Sequence, residues 1–267
     1  MMTLLRSLVS CLCVATMIGC SSSPTGRNQL LLFSDNDMAQ LGFQSFEQMK
    51  QQQKVSTNQK VNQYVQCVAD AVTAQVPPQP SFKEWEVVVF DSDQVNAFAL
   101  PGGKIGVYTG LLKVAENQDQ LATVIGHEIA HVLADHSNER LSQNQLANTG
   151  LAVTSVAIGA SEYKEYQGVT MAALGLGLQY GVILPYGRTQ ESEADIVGLE
   201  LMAKAGFDPY QSINLWKNMA RASGGNQPPE LLSTHPSHST RISDLTNKAN
   251  TLPNYAIGKP NCVAVKP

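Results

Sequence analysis

Charge is scarce in this chain of 267 residues: 18 Lys and Arg stand against 22 Asp and Glu, and charged side chains make up only 15%. There is no basic excess for a nucleic-acid surface and no dense charge for a solvated, disordered tail. No internal repeat of fixed period is present, which argues against a helical-repeat module. Beyond the first twenty residues, no apolar run is long and unbroken enough to span a membrane. What the chain does have is an apolar share of 43%, enough to bury a substantial core in one large domain or two small ones. Asn and Gln, 38 in all, supply much of the polarity without charge.

The first twenty residues differ from the rest. MMTLLRSLVSCLCVATMIGC pairs an early Arg6 with a nearly uncharged stretch from Leu8 to Gly19. It is too short and weakly flanked for a transmembrane helix and reads as a signal peptide over residues 1–19. Met17-Ile18-Gly19-Cys20 resembles a bacterial lipobox, so Cys20 is the expected lipidation site, and several acyl chains there would anchor the protein to a membrane. Under the bacterial sorting rule that this likeness brings, Ser21 points to the periplasmic side of the outer membrane. Residues 20–34 then read as a lipid-anchored polar tether and 35–267 as a single domain. Cysteine is equally sparse, five in all. Cys11 and Cys13 leave with the signal peptide, so Cys67 and Cys262 remain, and an oxidising compartment makes one disulfide the expectation.

The periodicity predicts a helix from Asp35 to Gln75, ended by Val76-Pro77-Pro78-Gln79-Pro80. Strands follow at Trp85–Phe90, Val95–Ala99 and Lys104–Tyr108, with Pro101-Gly102-Gly103 as the turn. Helices are expected at Gly110–Asn117, Asp119–Ser137, Thr189–Ala205, Tyr210–Arg221 and Thr240–Lys248. Residues 142–187 carry three charged side chains, Glu162, Lys164 and Glu165. The plain expectation is a pair of helices packed on the core; the alternative is an apolar lid or wall of the active site. The fold class is α+β, mostly helical, with a small sheet beside the helix that carries the motif below.

That motif is Gly126-His127-Glu128-Ile129-Ala130-His131. On a helix, residues four apart share a face, so His127 and His131 can hold one metal ion. Glu128 beside them can polarise a metal-bound water. The apolar flanks bury this helix, and a buried His-Glu-His trio without a metal would be costly. A catalytic zinc takes three protein ligands and keeps one open position. His136, about 140° round the helix from His131 at 100° per residue, is a poor third ligand. Glu191 and Asp195 are again four apart, so one helix face offers Glu191 to the metal and Asp195 to the outer side of a ligand imidazole. Glu193 points elsewhere and is expected to face solvent.

Gly-His-Glu-Ile-Ala-His, then Glu191-Ser192-Glu193-Ala194-Asp195, then His235-Pro236-Ser237 resembles the HtpX-like and CAAX-prenyl-endopeptidase-like zinc metallopeptidases, in their bacterial lipoprotein branch. The likeness covers roughly residues 60–250, including Asn96-Ala97-Phe98-Ala99 and Pro101-Gly102-Gly103. It implies one Zn2+ on His127, His131 and Glu191, with Glu128 as general base and Asp195 behind the ligands. It also implies that His235 lies near the metal, as oxyanion stabiliser or closing ligand, and that Arg241 supports the region through a carboxylate. Many relatives carry an aromatic residue where this chain has Ser192, outside the ligand set. Membrane-embedded relatives have spanning helices that are absent here, so prenyl-protein processing is not carried over. The implied activity is hydrolysis of internal peptide bonds in unfolded or misassembled envelope proteins. The substrate would pair in extended form with the strand at Asn96–Ala99, and assembly factors of the envelope are the expected partners. The alternatives are a chaperone or scaffold with a structural zinc, and a hydrolase of peptidoglycan or another small amide.

Overall fold

The computed structural model describes residues 20–178, 184–222, 238–255 and 258–266. β1 (Cys20–Ser22) and β2 (Asn28–Leu30) form an antiparallel ribbon. The helical pattern over 35–75 resolves into two helices, α1 (Asp35–Gln52) and α2 (Gln59–Thr73). Between them Val55 bridges to Phe90 and the Ser56 N–H donates to the Val89 carbonyl at 2.8 Å. Asn58 then accepts from the N–H groups of Lys60 and Val61 and starts α2 anew. Pairing with the sheet, which helix periodicity does not report, divides the segment.

β3 (Glu86–Phe90), β4 (Ala97–Leu100) and β5 (Lys104–Tyr108) lie in the order β3-β5-β4, with β3 parallel and β4 antiparallel to β5. The turn between β4 and β5 needs φ of +85° at Gly102 and +73° at Gly103, a region other residues resist. β4 is therefore an edge strand. Ala97 and Ala99 face the main core, whereas Phe98 packs into an aromatic cluster with Phe46, Phe90 and Tyr108.

A 3-10 turn at Leu111–Lys113 leads to α3 (Gln118–Leu133), which Asn117 caps by accepting from the Gln120 N–H at 2.9 Å. After it come α4 (His136–Gly159), a 3-10 turn at Lys164–Tyr166, α5 (Gln167–Leu178), α6 (Leu184–Lys204), α7 (Gln211–Ala222) and α8 (His238–Thr251). The architecture is α+β and mostly helical. α3 lies at its centre, packed on α2, β4, α6 and α7, with Leu121, Ile125 and Ile129 fully buried among Val65, Ile105, Leu199 and Met202. It meets α6 at Gly126 and Gly198. A Cβ on Gly198 would stand 2.6 Å from the His127 nitrogen, so only glycine lets the two backbones approach this closely.

The segment from 142 onward is not the packed helix pair that its composition suggested. Ser142 is buried, but farther along α4 and in the turn and helix after it Val153, Val156, Tyr163 and Val169 are each more than 60% exposed. α4 and α5 pack on each other as an apolar hairpin open to solvent. Residues 179–183 fall outside the described set. No helix among the described residues is long and apolar enough to cross a membrane. At the other end of the chain, Cys262 is bonded to Cys67 of α2 with their Cα atoms 5.7 Å apart. The tail also reaches the start of α3, where Lys259 pairs with Asp119 at 2.9 Å and the Cys262 N–H donates to Gln118 at 2.8 Å.

Candidate metal centre

α3 and α6 bring three donor side chains together. His127 Nε2 lies 3.1 Å from His131 Nε2 and 3.5 Å from Glu191 Oε2, and His131 Nε2 lies 3.4 Å from Glu191 Oε1. Among the described residues this is the His, Cys, Asp and Glu group whose spacing suits a metal ion. Donors about 2.0–2.2 Å from a tetrahedral zinc stand roughly 3.3–3.6 Å from one another, close to the 3.1, 3.4 and 3.5 Å of this triangle. Two imidazoles and one carboxylate are also a donor set that zinc accepts. The electrostatics agree. Burial opposes a charge on His127, yet hydrogen bonds to Asp195 and Glu191 outweigh it, against the opposing charge of Arg241, and lift its pKa to about 9. A site that draws a proton onto a buried imidazole is a site that favours a cation.

The donor side chains are held from behind. Asp195 Oδ1 accepts from His127 Nδ1 at 3.0 Å, so Nε2, turned toward Glu191 and His131, is the nitrogen a metal would take in place of its proton. Arg241 of α8 donates through Nε to Asp195 Oδ2 at 2.8 Å and through Nη2 to Oδ1 at 2.5 Å, and its Nη1 lies 3.4 Å from Glu191 Oε2. Its guanidinium stacks 3.6 Å above the Trp216 ring. Because His127 Nδ1 already donates to Asp195, the 3.3 Å approach of Arg241 Nη2 to that nitrogen is a packing contact. Burial would raise the Asp195 carboxyl, but the charge of Arg241 and the bond from His127 hold it low. Glu128 is half-buried on α3, beside His127. His235 lies outside the described residues.

Three expectations change. A single helix from Asp119 to Ser137 is not formed. α3 ends at Leu133, and Asp135 takes the left-handed conformation at φ +51°, where non-glycine residues are uncommon. The Gln29 side chain bonds the Ala134 carbonyl freed by this break at 2.6 Å. The break reorients His136, so that its Nδ1 sits 2.8 Å from His131 Nδ1. Glu193, expected in solvent, is 3% exposed and accepts from His136 Nε2 at 3.1 Å, from the Thr25 hydroxyl at 2.6 Å and from Arg27 Nη2 at 3.0 Å. Burial alone would raise its pKa; the Ser23 hydroxyl together with these bonds holds it at about 2. Residues 20–34, read as a lipid-anchored polar tether, pack against α4 and α6: Arg27 forks onto Glu139 at 2.6 and 2.8 Å and onto Glu193 at 3.0 Å, and the Leu32 N–H donates to Ser142 at 2.8 Å. At the proposed substrate strand the Phe98 side chain packs on the aromatic cluster, Asn96 is exposed, and β4 has an open edge in its three-stranded sheet.

Residues 56–249 match peptidase family M48. The chain belongs to that family. It is 38% identical over 160 residues to the Schizosaccharomyces pombe protein described as mitochondrial metalloendopeptidase OMA1, covering 60% of this chain and 45% of that one. It is 32% identical over 243 residues to the Bos taurus metalloendopeptidase OMA1, covering 84% and 45%. It is also 32% identical over 167 residues to the beta-barrel assembly-enhancing protease of Yersinia pestis, covering 61% and 34%. The chain thus spans about half or less of the length of these relatives. The matched M48 region holds the whole donor triangle together with Asp195 and Arg241.

The break beside this M48 site carries a titration. The Asp135 carboxyl is pushed up to about 6, chiefly by burial, with the charges of Asp35 and Glu139 adding to it. A folded pKa above the ordinary value of 3.8 means that its contribution to stability is complete below pH 3.8 and is lost as pH rises through 6. At neutral pH the charged form therefore opposes folding. Asparagine tolerates the left-handed backbone. Asp135→Asn is expected to stabilise the fold by roughly 1–2 kcal/mol at pH 7.5, after discounting for partial exposure. Thermal melts at pH 7.5 and 3.5 check it: the gain should be absent at the lower pH.

Proposed function

We propose that this chain is a zinc endopeptidase that cleaves internal peptide bonds in extended, unfolded segments of cell-envelope proteins, from a membrane anchor on Cys20. The observation that carries the reading is the triangle of His127, His131 and Glu191 with Glu128 beside it, within a chain of the M48 family. Zinc held there supplies Lewis acidity, which acidifies water and polarises a carbonyl oxygen. Glu128 takes the proton from the attacking water and returns it to the leaving amine. Asp195 and Arg241 keep His127 in the tautomer whose Nε2 faces the metal. The open edge of β4, packed next to α3, offers backbone groups to an extended peptide. That mode of binding tolerates many side chains and requires a locally unfolded substrate.

The envelope assignment is supported by the lipobox-like Met17–Cys20, by the cysteine pair and by likeness to a protease named for β-barrel assembly. The experiment uses the full chain expressed with its amino terminus intact. Metal content, cleavage of a reduced and alkylated protein against its folded form, and the mass of the amino-terminal peptide are measured together. One zinc per chain, cleavage of the unfolded form alone and a diacyl or triacyl mass on Cys20 are expected. Equal cleavage of both forms would overturn the substrate reading, and zinc without any cleavage would favour a scaffold.

A further inference from the structure

A polar path leads away from the metal centre toward the amino terminus. If His131 Nε2 faces the metal, its proton resides on Nδ1 and is donated to His136 Nδ1, 2.8 Å away. His136 must then carry its own proton on Nε2, which donates to Glu193 Oε2 at 3.1 Å. One arrangement of protons satisfies both contacts, and it runs outward from the metal. His136 is fully buried between them and Glu193 is 3% exposed, so water does not substitute for either. Glu193 is in turn fixed by Thr25, through its N–H at 3.2 Å and its hydroxyl at 2.6 Å, and by Arg27, through Nε at 3.1 Å and Nη2 at 3.0 Å. Arg27 is clamped from its other side by Glu139, which also accepts from Gln190 at 2.7 Å.

We infer that Thr25 and Arg27 of the amino-terminal arm are positioning residues for the metal centre, acting through Glu193 and His136 on the imidazole of His131. The inference rests on the metal-centre reading above. A ligand imidazole needs a fixed acceptor on its outer nitrogen; elsewhere in this site Asp195 does that for His127 with one carboxylate. For His131 the same task falls to a histidine and a carboxylate in series, and the carboxylate is held by a segment that begins at Cys20. The element that would carry the lipid is thus also part of the scaffold of the metal site.

The test is titration of the full-length, chelator-treated protein with Co2+ and Zn2+, following the cobalt d–d bands and competition with a chromophoric chelator. His136→Leu is expected to weaken metal binding by about 10–100-fold, the usual cost of losing a partner behind a ligand. Arg27→Gln and Thr25→Val should each weaken it by a smaller factor, shift the cobalt bands and lower kcat with KM unchanged. In the His136→Leu background Arg27→Gln should add nothing further, because both act on one imidazole. Thermal melts of the metal-free variants measure general loss of stability separately. Arg27→Gln and Thr25→Val proteins that bind cobalt like the wild type, whatever their melting temperature, would overturn the proposal alone. So would equal losses for Arg27→Gln in both backgrounds. A wild-type chain that binds no cobalt, or a His131→Ala chain that binds it unchanged, would overturn the metal-centre reading and the proposal with it.

Discussion

Glu128→Gln is expected to retain one metal ion per chain and to lose proteolysis of an unfolded substrate by about three orders of magnitude. Position 128 follows His127 on α3, so its side chain lies about 100° round the helix from the ligand face. It can reach a water at the metal without itself joining the donor triangle. Glutamine keeps the size and one hydrogen-bonding oxygen of the carboxylate but takes up no proton. General-base catalysis of this kind is worth roughly 10²–10⁴-fold, and the same residue serves again when the amine departs. The three donors, Asp195 and Arg241 are untouched, so affinity for the metal should change little. His131→Ala provides the contrast, with both metal and activity lost. The check is metal quantification on the same preparations used for single-turnover cleavage. A Glu128→Gln protein that carries zinc and cleaves at the wild-type rate would show that another group takes the proton.

The features legible in the sequence are those governed by short separations. His127 and His131, or Glu191 and Asp195, need only the four-residue spacing of a helix, and Pro101-Gly102-Gly103 announces its own turn. The features that sequence hides depend on distant partners. Nothing near Ala134 and Asp135 signals a break, because the residues on both sides continue a plausible helical pattern. The break is completed by Gln29, which bonds the Ala134 carbonyl from 105 positions away. Glu193 looks like a solvated acid at a helix start until Arg27 and His136 are placed against it. The hairpin of α4 and α5 errs in the other direction. Its apolar composition reads as core, yet composition cannot say whether the rest of the fold supplies a surface to cover it, and Val153, Val156 and Val169 remain open. Local rules thus deliver the donor side chains, while long-range contacts decide what holds them.

Breaking the Cys67–Cys262 bond should produce the largest loss of stability. The cysteines are 195 residues apart, so the link removes freedom from most of the unfolded chain. The loop-entropy relation gives roughly 5 kcal/mol for a closure of this length, before any compensation from residual structure in the unfolded state. For a chain of this size that corresponds to a fall of about 10–20 °C in Tm. The native contacts at risk are local to the tail. Cys262 is buried against α2, and Lys259 and the Cys262 N–H fasten the tail to Asp119 and Gln118 at the start of α3. His127 lies two turns farther along that helix, and its partners Asp195 and Arg241 come from α6 and α8, which the bond does not touch. Cys67→Ser with Cys262→Ser should therefore melt far lower, and at temperatures where it stays folded should bind zinc within a few-fold of the wild type. Melts of the wild type with and without reductant, beside the double variant, read the effect directly. Coincident melting curves would mean that the tail contacts alone hold the carboxyl terminus. A collapse of zinc affinity in the folded double variant would mean that the start of α3 transmits the loss to the ligands.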